Sequence, residues 1–169
     1  MNNLPSRKSL RLKDYVYSTP GAYLITVCTK NRCKILGHLV GCDACDTPMV
    51  ECSKYGKILE KHIVDMGEKH SHIRIEKYVI MPDHFHILLK IIKRVEKADG
   101  VSQASRPTKS EVAKFVSLLK RYCNYEYGEN IWQTSYYDHI IRNERDYLEA
   151  MQYIETNPLR LKLGYSRKE

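Results

Sequence analysis

The order of regular elements predicts an α+β fold, an antiparallel sheet with helices packed on one face. Three features of the sequence predict it. A β-branched and aromatic run begins at Ala22, two apolar runs are separated by the turn dipeptide Pro82-Asp83, and stretches with three- and four-residue apolar spacing lie on either side of that pair. With 169 residues and 43% hydrophobic content, the chain can bury one ordinary core, so a single domain over residues 1–169 is expected.

Residues 1–20 carry Arg7-Lys8-Ser9-Leu10-Arg11-Leu12-Lys13, which is basic and aperiodic. They read as an arm whose Arg11 and Lys13 touch phosphates, or otherwise as a solvated tail. Residues 22–29, bounded by Pro20-Gly21 and Asn31, read as a central strand, and residues 34–40 as a short second strand. From Ser53 the apolar positions Tyr55, Ile58, Leu59, Ile63 and Met66 predict an amphipathic helix over residues 53–69, with Ser53 as its N-cap. Residues 73–81 and 84–92 form the two strands of a hairpin, because Pro82 excludes a continuous helix. Residues 94–108, with Gly100, Ser102, Ser105 and Pro107, read as a loop. Helical spacing returns over residues 110–127 through Val112, Phe115, Val116, Leu119 and Cys123, with Lys114, Lys120 and Arg121 on the other face. After Trp132 and the short stretch 138–141, a last helix is expected from about residue 144 to 156, stopped by Pro158.

Lysine and arginine number 28 against 20 acidic residues, and the net charge of +8 suits a polyanionic partner without requiring one. No apolar run approaches the ~20 residues of a membrane helix, and the basic start lacks a signal-peptide core, so no membrane association and a cytoplasmic location are expected. The six cysteines are expected to be free thiols. Zinc at the Cys42-x-x-Cys45 pair would need Cys33 and Cys52, whose spacing is irregular.

His84 and His86 lie two apart in an extended run, so their imidazoles project from one sheet face and can converge on one metal ion. The alternative is a pair of histidines on a polar face, and a third ligand has to come from elsewhere. Tyr153 and Asn157 are four apart, so on a helix they share a face, offering an oxygen nucleophile and an amide oxygen to one site. Each residue also has an ordinary reading, as a core aromatic and a helix cap. Tyr122, Tyr125 and Tyr147 compete as helical tyrosines among the 13 in the chain.

The segment from Tyr78 to Leu89, with its Pro-x-His-hydrophobic-His pattern, is followed by Trp132-Gln133, then Asp138-His-Ile-Ile-Arg142, then Tyr153-Ile-x-x-Asn157-Pro158. In this order the motifs resemble the REP-associated tyrosine transposases of the HUH single-strand endonuclease superfamily, over most of the chain from Ala22 onward. The resemblance implies a ferredoxin-like fold with His84 and His86 as metal ligands, Asn157 as the third, and Tyr153 as the nucleophile. It also implies Mg²⁺ or Mn²⁺ as the ion. The implied substrate is single-stranded, hairpin-forming DNA, cut and rejoined by transesterification through a 5′-phosphotyrosine. Lys114, Lys120, Arg121 and Arg142 would then contact the backbone, and Trp132 and Tyr136 would stack bases, as Tyr122, Tyr125 and Tyr137 could. The cysteine-bearing insertion over residues 41–51 departs from the family's pattern. A non-catalytic single-strand binding module of the same fold is the rival reading. A replication or conjugation initiator is a second rival, for which the chain is short and lacks a helicase signature. Monomer and homodimer both stay open.

Overall fold

The computed structural model of the chain describes residues 20–42, 45–92 and 110–164, except for the side chains of residues 42 and 45–47. The arm that carries Arg11 and Lys13, the loop over residues 94–108, and the Cys42 and Cys45 thiols lie outside the described residues. The apolar run after Pro20 forms β1 (Gly21–Cys28), the central strand. It pairs antiparallel with β5 (His84–Ile91) on one side and β6 (Tyr137–Ile141) on the other. β4 (Ile73–Ile80) pairs with the outer edge of β5, so the sheet order is β4-β5-β1-β6.

After β1 the chain turns out of the sheet where Asn31 and Arg32 both take a left-handed φ of 54°. It then forms a separate two-stranded sheet, β2 (Gly37–Cys42) with β3 (Cys45–Cys52), and this hairpin is the cysteine-bearing insertion. The short second strand expected over residues 34–40 is therefore present, but it begins later and does not join the main sheet. α1 (Lys54–Lys69) then leads to β4, and α2 (Glu111–Tyr127) lies between β5 and β6. The resulting βαββαβ order in the main sheet is the split βαβ, ferredoxin-like arrangement. Ser53 and Ser110 cap their helices, accepting from the backbone N–H of Gly56 at 3.3 Å and of Ala113 at 3.0 Å.

Side chains alternate across the sheet, and both faces are covered. Tyr23, Ile25, Val27, Phe85, Ile87 and Leu89 pack against Leu59, Ile63 and Met66 of α1 and Phe115, Val116 and Leu119 of α2. These are the helices expected on one face. On the opposite face, Leu88 packs with Ala150 and Ile154 of α3 (Glu144–Lys162), flanked by Leu24, Val79, Ile141, Tyr147 and Met151. The expected end of the last helix needs correction. Pro158 lies inside α3, which runs on to Lys162. Proline deletes a single N–H from the ladder, while the next turn closes normally with Leu163 N–H donating to the Leu159 carbonyl at 3.0 Å.

Gly56 marks a close approach. A Cβ there would fall on the backbone carbonyl oxygen of Leu36 and lie 3.0 Å from the Cys52 Cβ. Glycine to alanine within an exposed helix ordinarily gains up to ~1 kcal/mol. Here Gly56→Ala is expected to lose stability instead, by roughly 1–3 kcal/mol as for other overpacked sites, read as a lower midpoint in urea unfolding.

Candidate active site

The site lies where β1 ends and β5 begins. Thr29, fully buried, holds this corner: its N–H donates to the Asp83 carbonyl at 2.9 Å, and the hairpin closes with Met81 N–H to the His84 carbonyl at 2.8 Å. This turn starts β5 at His84, and the alternation of the strand puts His84 and His86 on the α3 face while Phe85 goes into the α1–α2 core. The two imidazoles stand edge to face with centroids 4.8 Å apart.

Each imidazole is oriented through Nδ1. His84 Nδ1 lies 2.6 Å from Asp83 Oδ1, and His86 Nδ1 lies 2.8 Å from the hydroxyl of Thr26, its register partner on β1. Outer bonds of this kind fix the tautomer and orientation of an imidazole. Arg32 Nη1 stands 3.8 Å from the other Asp83 oxygen. Burial works against the Asp83 carboxylate, but the hydrogen bond from His84, together with the charges of His84 and Arg32, outweighs it. The carboxyl is held below its ordinary range.

α3 brings Tyr153 to the pair. Its ring is 5.0 Å from that of His86, edge to face, and the Arg160 guanidinium lies over the phenol ring, 5.5 Å from its centroid. Asn157 is buried one turn beyond Tyr153. Of the competing tyrosines, Tyr122 and Tyr125 are exposed on α2, across the sheet. Tyr147 packs in the α3 cluster, and burial followed by the Glu76 carboxylate raises its pKa.

Among the described residues no three His, Cys, Asp or Glu side chains form a metal cluster. Any ion at the histidine pair would therefore draw further donors from an amide, a hydroxyl, water or phosphate. Cys28, Cys33, Cys52 and Cys123 are free thiols.

Several residues assigned to DNA contact lie away from this group. Trp132 is corrected to a core residue: it is 3% exposed, and its ring meets Phe85 edge to face at 5.4 Å, because the chain at Thr29 and Trp132 forms a β-bridge that draws the indole inward. Lys120 is also corrected. Its ammonium donates to the carbonyls of Gln133 at 2.7 Å and Ser135 at 3.1 Å, and burial lowers its pKa to about 8. Lys114 pairs with Glu111 at 2.6 Å, and Arg121 lies over Tyr122; both stand on α2, across the sheet from Tyr153. Tyr136 is half-buried against the α1–α2 core. Arg142 is exposed at the end of β6, on the edge of the sheet next to α3.

Thr26, Asp83 and Arg160 were not assigned roles from the sequence. Arg160 carried a signal, since it follows Tyr153 by seven residues, two helical turns. Reading Pro158 as the end of the helix hid it.

Residues 21–157 match the family described as "Transposase IS200 like", and the chain belongs to that family. It is 30% identical over 166 residues to an uncharacterized protein of Haemophilus influenzae, covering 90% of this chain and 88% of that one. Over 100 residues it is 26% identical to the REP-associated tyrosine transposase of Escherichia coli K12, covering 59% of this chain and 53% of that protein. The match therefore spans about half the length of that relative. Among solved structures, a REP-associated tyrosine transposase bound to a REP hairpin superposes with a TM-score of 0.58 at 20% identity, covering 83% of this chain and 68% of that one. This likeness places the fold among transposase structures. No helix among the described residues is long and apolar enough to cross a membrane.

A depressed folded-state value means that ionised Asp83 stabilises the fold above the unfolded carboxyl pKa and that this contribution fades as pH falls through the depressed value. Asp83→Asn is thus expected to lower Tm near neutral pH, and the gap to the parent protein should close in melts taken below about pH 4.

Proposed function

We propose that the chain is a single-strand DNA transposase that cleaves and rejoins DNA through Tyr153. The observation that carries this reading is the packing of the Tyr153 ring against His86, itself edge to face with His84, in a chain of the IS200-like transposase family. Tyr153 attacks the scissile phosphorus and the bond from phosphorus to the 3′ oxygen breaks. The phenol's proton is released, the 3′ oxygen leaves and becomes a hydroxyl, and the strand 3′ of the cut stays on Tyr153 through its 5′-phosphate, as a phosphotyrosine. Because the ester energy is kept, a 3′-hydroxyl can reverse the step and rejoin strands. The substrate proposed is single-stranded and hairpin-forming, a choice supported by the REP hairpin to which the structural neighbour is bound.

The residues present fit a divalent ion. His84 and His86 would hold it through Nε2 and Asn157 through its amide oxygen, leaving positions for water and phosphate oxygens. Imidazole suits first-row transition ions and the oxygen donors suit Mg²⁺ or Mn²⁺, so Mn²⁺ meets both preferences. When bound, such an ion polarises the phosphate and offsets the charge that develops on it. The protein's own part is to fix the imidazoles through Asp83 and Thr26 and to hold the phenol beside them.

The test is incubation with hairpin-bearing single strands and Mn²⁺, followed by denaturing gels for a covalent protein–DNA adduct. Tyr153→Phe is expected to bind DNA and form no adduct, with its Tm within a few degrees of the parent's; an adduct on Tyr147 or Tyr122 would overturn the assignment. His84→Ala with His86→Ala should abolish metal-dependent adduct while circular dichroism stays unchanged, and adduct at the parent's rate would remove the metal role. Binding should weaken as salt rises, through counterion release. Salt-sensitive binding with no adduct under any condition would favour the non-catalytic module.

A further inference from the structure

α3 packs across the face of the sheet from β6 to β4, and between it and β1 and β6 is an open cavity of about 550 Å³ with Tyr153 in its wall. Its apolar floor is Leu24 and Ala150; His139 lines it from β6, and Arg160 lines it from the last turns of α3. That volume lies within the ~300–1,000 Å³ range of small-ligand sites. The cavity carries carboxylates, but both are engaged. Asp146 accepts from the His139 ring at 2.8 Å and the Arg142 N–H at 3.1 Å, and Glu149 pairs with Arg145 at 2.9 Å. Arg160 differs: among the described residues no carboxylate pairs with it, and its guanidinium rests on the Tyr153 ring.

We infer that this cavity is a nucleotide subsite, holding the deoxynucleotide just 3′ of the cut, with Arg160 binding the phosphate that joins it to Tyr153. The inference rests on the proposed phosphotyrosine chemistry. That chemistry leaves the 3′-side nucleotide tethered to the phenol oxygen, so its sugar and base must occupy space next to Tyr153. The cavity is the space with an apolar floor for a base and a cation at the tether. Guanidinium binds phosphate through charge-assisted, fork-shaped hydrogen bonds. The guanidinium carbon lies 5.5 Å from the centre of the phenol ring, so the fork stands beside the residue that would carry the phosphate.

Two measurements test it. In the first, adduct formation at saturating hairpin DNA is timed for the parent, Arg160→Lys and Arg160→Ala. The alanine variant is expected to be slower by roughly tenfold or more, the scale of one charged hydrogen bond, and lysine should recover part of the loss. The second needs neither metal nor turnover. In EDTA, in a Tyr153→Phe background, short single strands with and without a 5′-phosphate are compared by fluorescence anisotropy. The phosphorylated strand should bind more tightly, and adding Arg160→Ala should erase the difference. If the parent forms adducts and Arg160→Ala matches its rate, the subsite fails while the transposase reading stands. If the parent forms none, the transposase reading fails and takes the inference with it. If Arg160→Ala weakens both strands equally, Arg160 is a general backbone contact and the subsite is wrong. An abasic residue 5′ of the cut that costs more than one 3′ of it would likewise overturn the placement.

Discussion

The register that sets Thr26 opposite His86 across β1 and β5 is the constraint on which the site depends. A slip of one residue would move every side chain of β5 to the other face. His84 and His86 would then enter the α1–α2 core, and Phe85, Ile87 and Leu89 would meet α3. Because Phe85, Ile87, Leu89 and Ile91 fill one core and Leu88 another, the strand is fixed from both sides. The histidine face inherits that precision from an apolar packing problem on its reverse. The bond from Thr26 to His86 then carries the register into the orientation of a single imidazole.

The two faces are unequal. α1 and α2 are held by a large continuous cluster, while α3 is seated on a small one around Leu88, Ala150 and Ile154. Polar contacts supplement it: Lys77 pairs with Glu155 from β4, and His139 with Asp146 from β6. A helix held by modest apolar area and exposed ion pairs is the kind that opens at low free-energy cost. On the proposed chemistry, carrying Tyr153 on such a helix, with His84 and His86 on a rigid strand, would separate the group that must meet and release DNA from the groups that must stay fixed. Pro158 adds to this by removing one rung of the helical ladder just past Asn157.

The fold was largely legible because its signals are local. Strand alternation, the Pro82-Asp83 turn, and the serines before α1 and α2 each act within a few residues, and β1, α1, β4, β5 and α2 appeared close to their expected bounds. What escaped the sequence depends on partners distant along the chain. The face α3 would choose is set by Leu88, sixty-six residues before Ile154. Trp132 and Lys120 carry the residue types of a DNA surface, but a bridge to Thr29 and two backbone carbonyls claim them. For the site, the His-x-His spacing and the four-residue step from Tyr153 to Asn157 were visible; Thr26 was not, since its role exists only through pairing sixty residues away.

Net charge was the least informative guide, and the structure makes the reason physical. Lys61, Arg74, Lys77, Lys114 and Arg145 are each engaged with a carboxylate, and Lys120 is spent on the protein's own backbone. Each such pair cancels a cation against an acid, so the surplus of +8 lies on other residues and says nothing of which face of the sheet carries it. On the α3 side, as elsewhere, carboxylates near Tyr153 are matched. Asp83 is matched by His84 and Arg32, Asp146 by His139, and Glu149 by Arg145, so a polyanion approaching Tyr153 meets compensated acids and an arginine with no carboxylate partner among the described residues. Local pairing, more than total charge, determines which side of this sheet a phosphate backbone can approach.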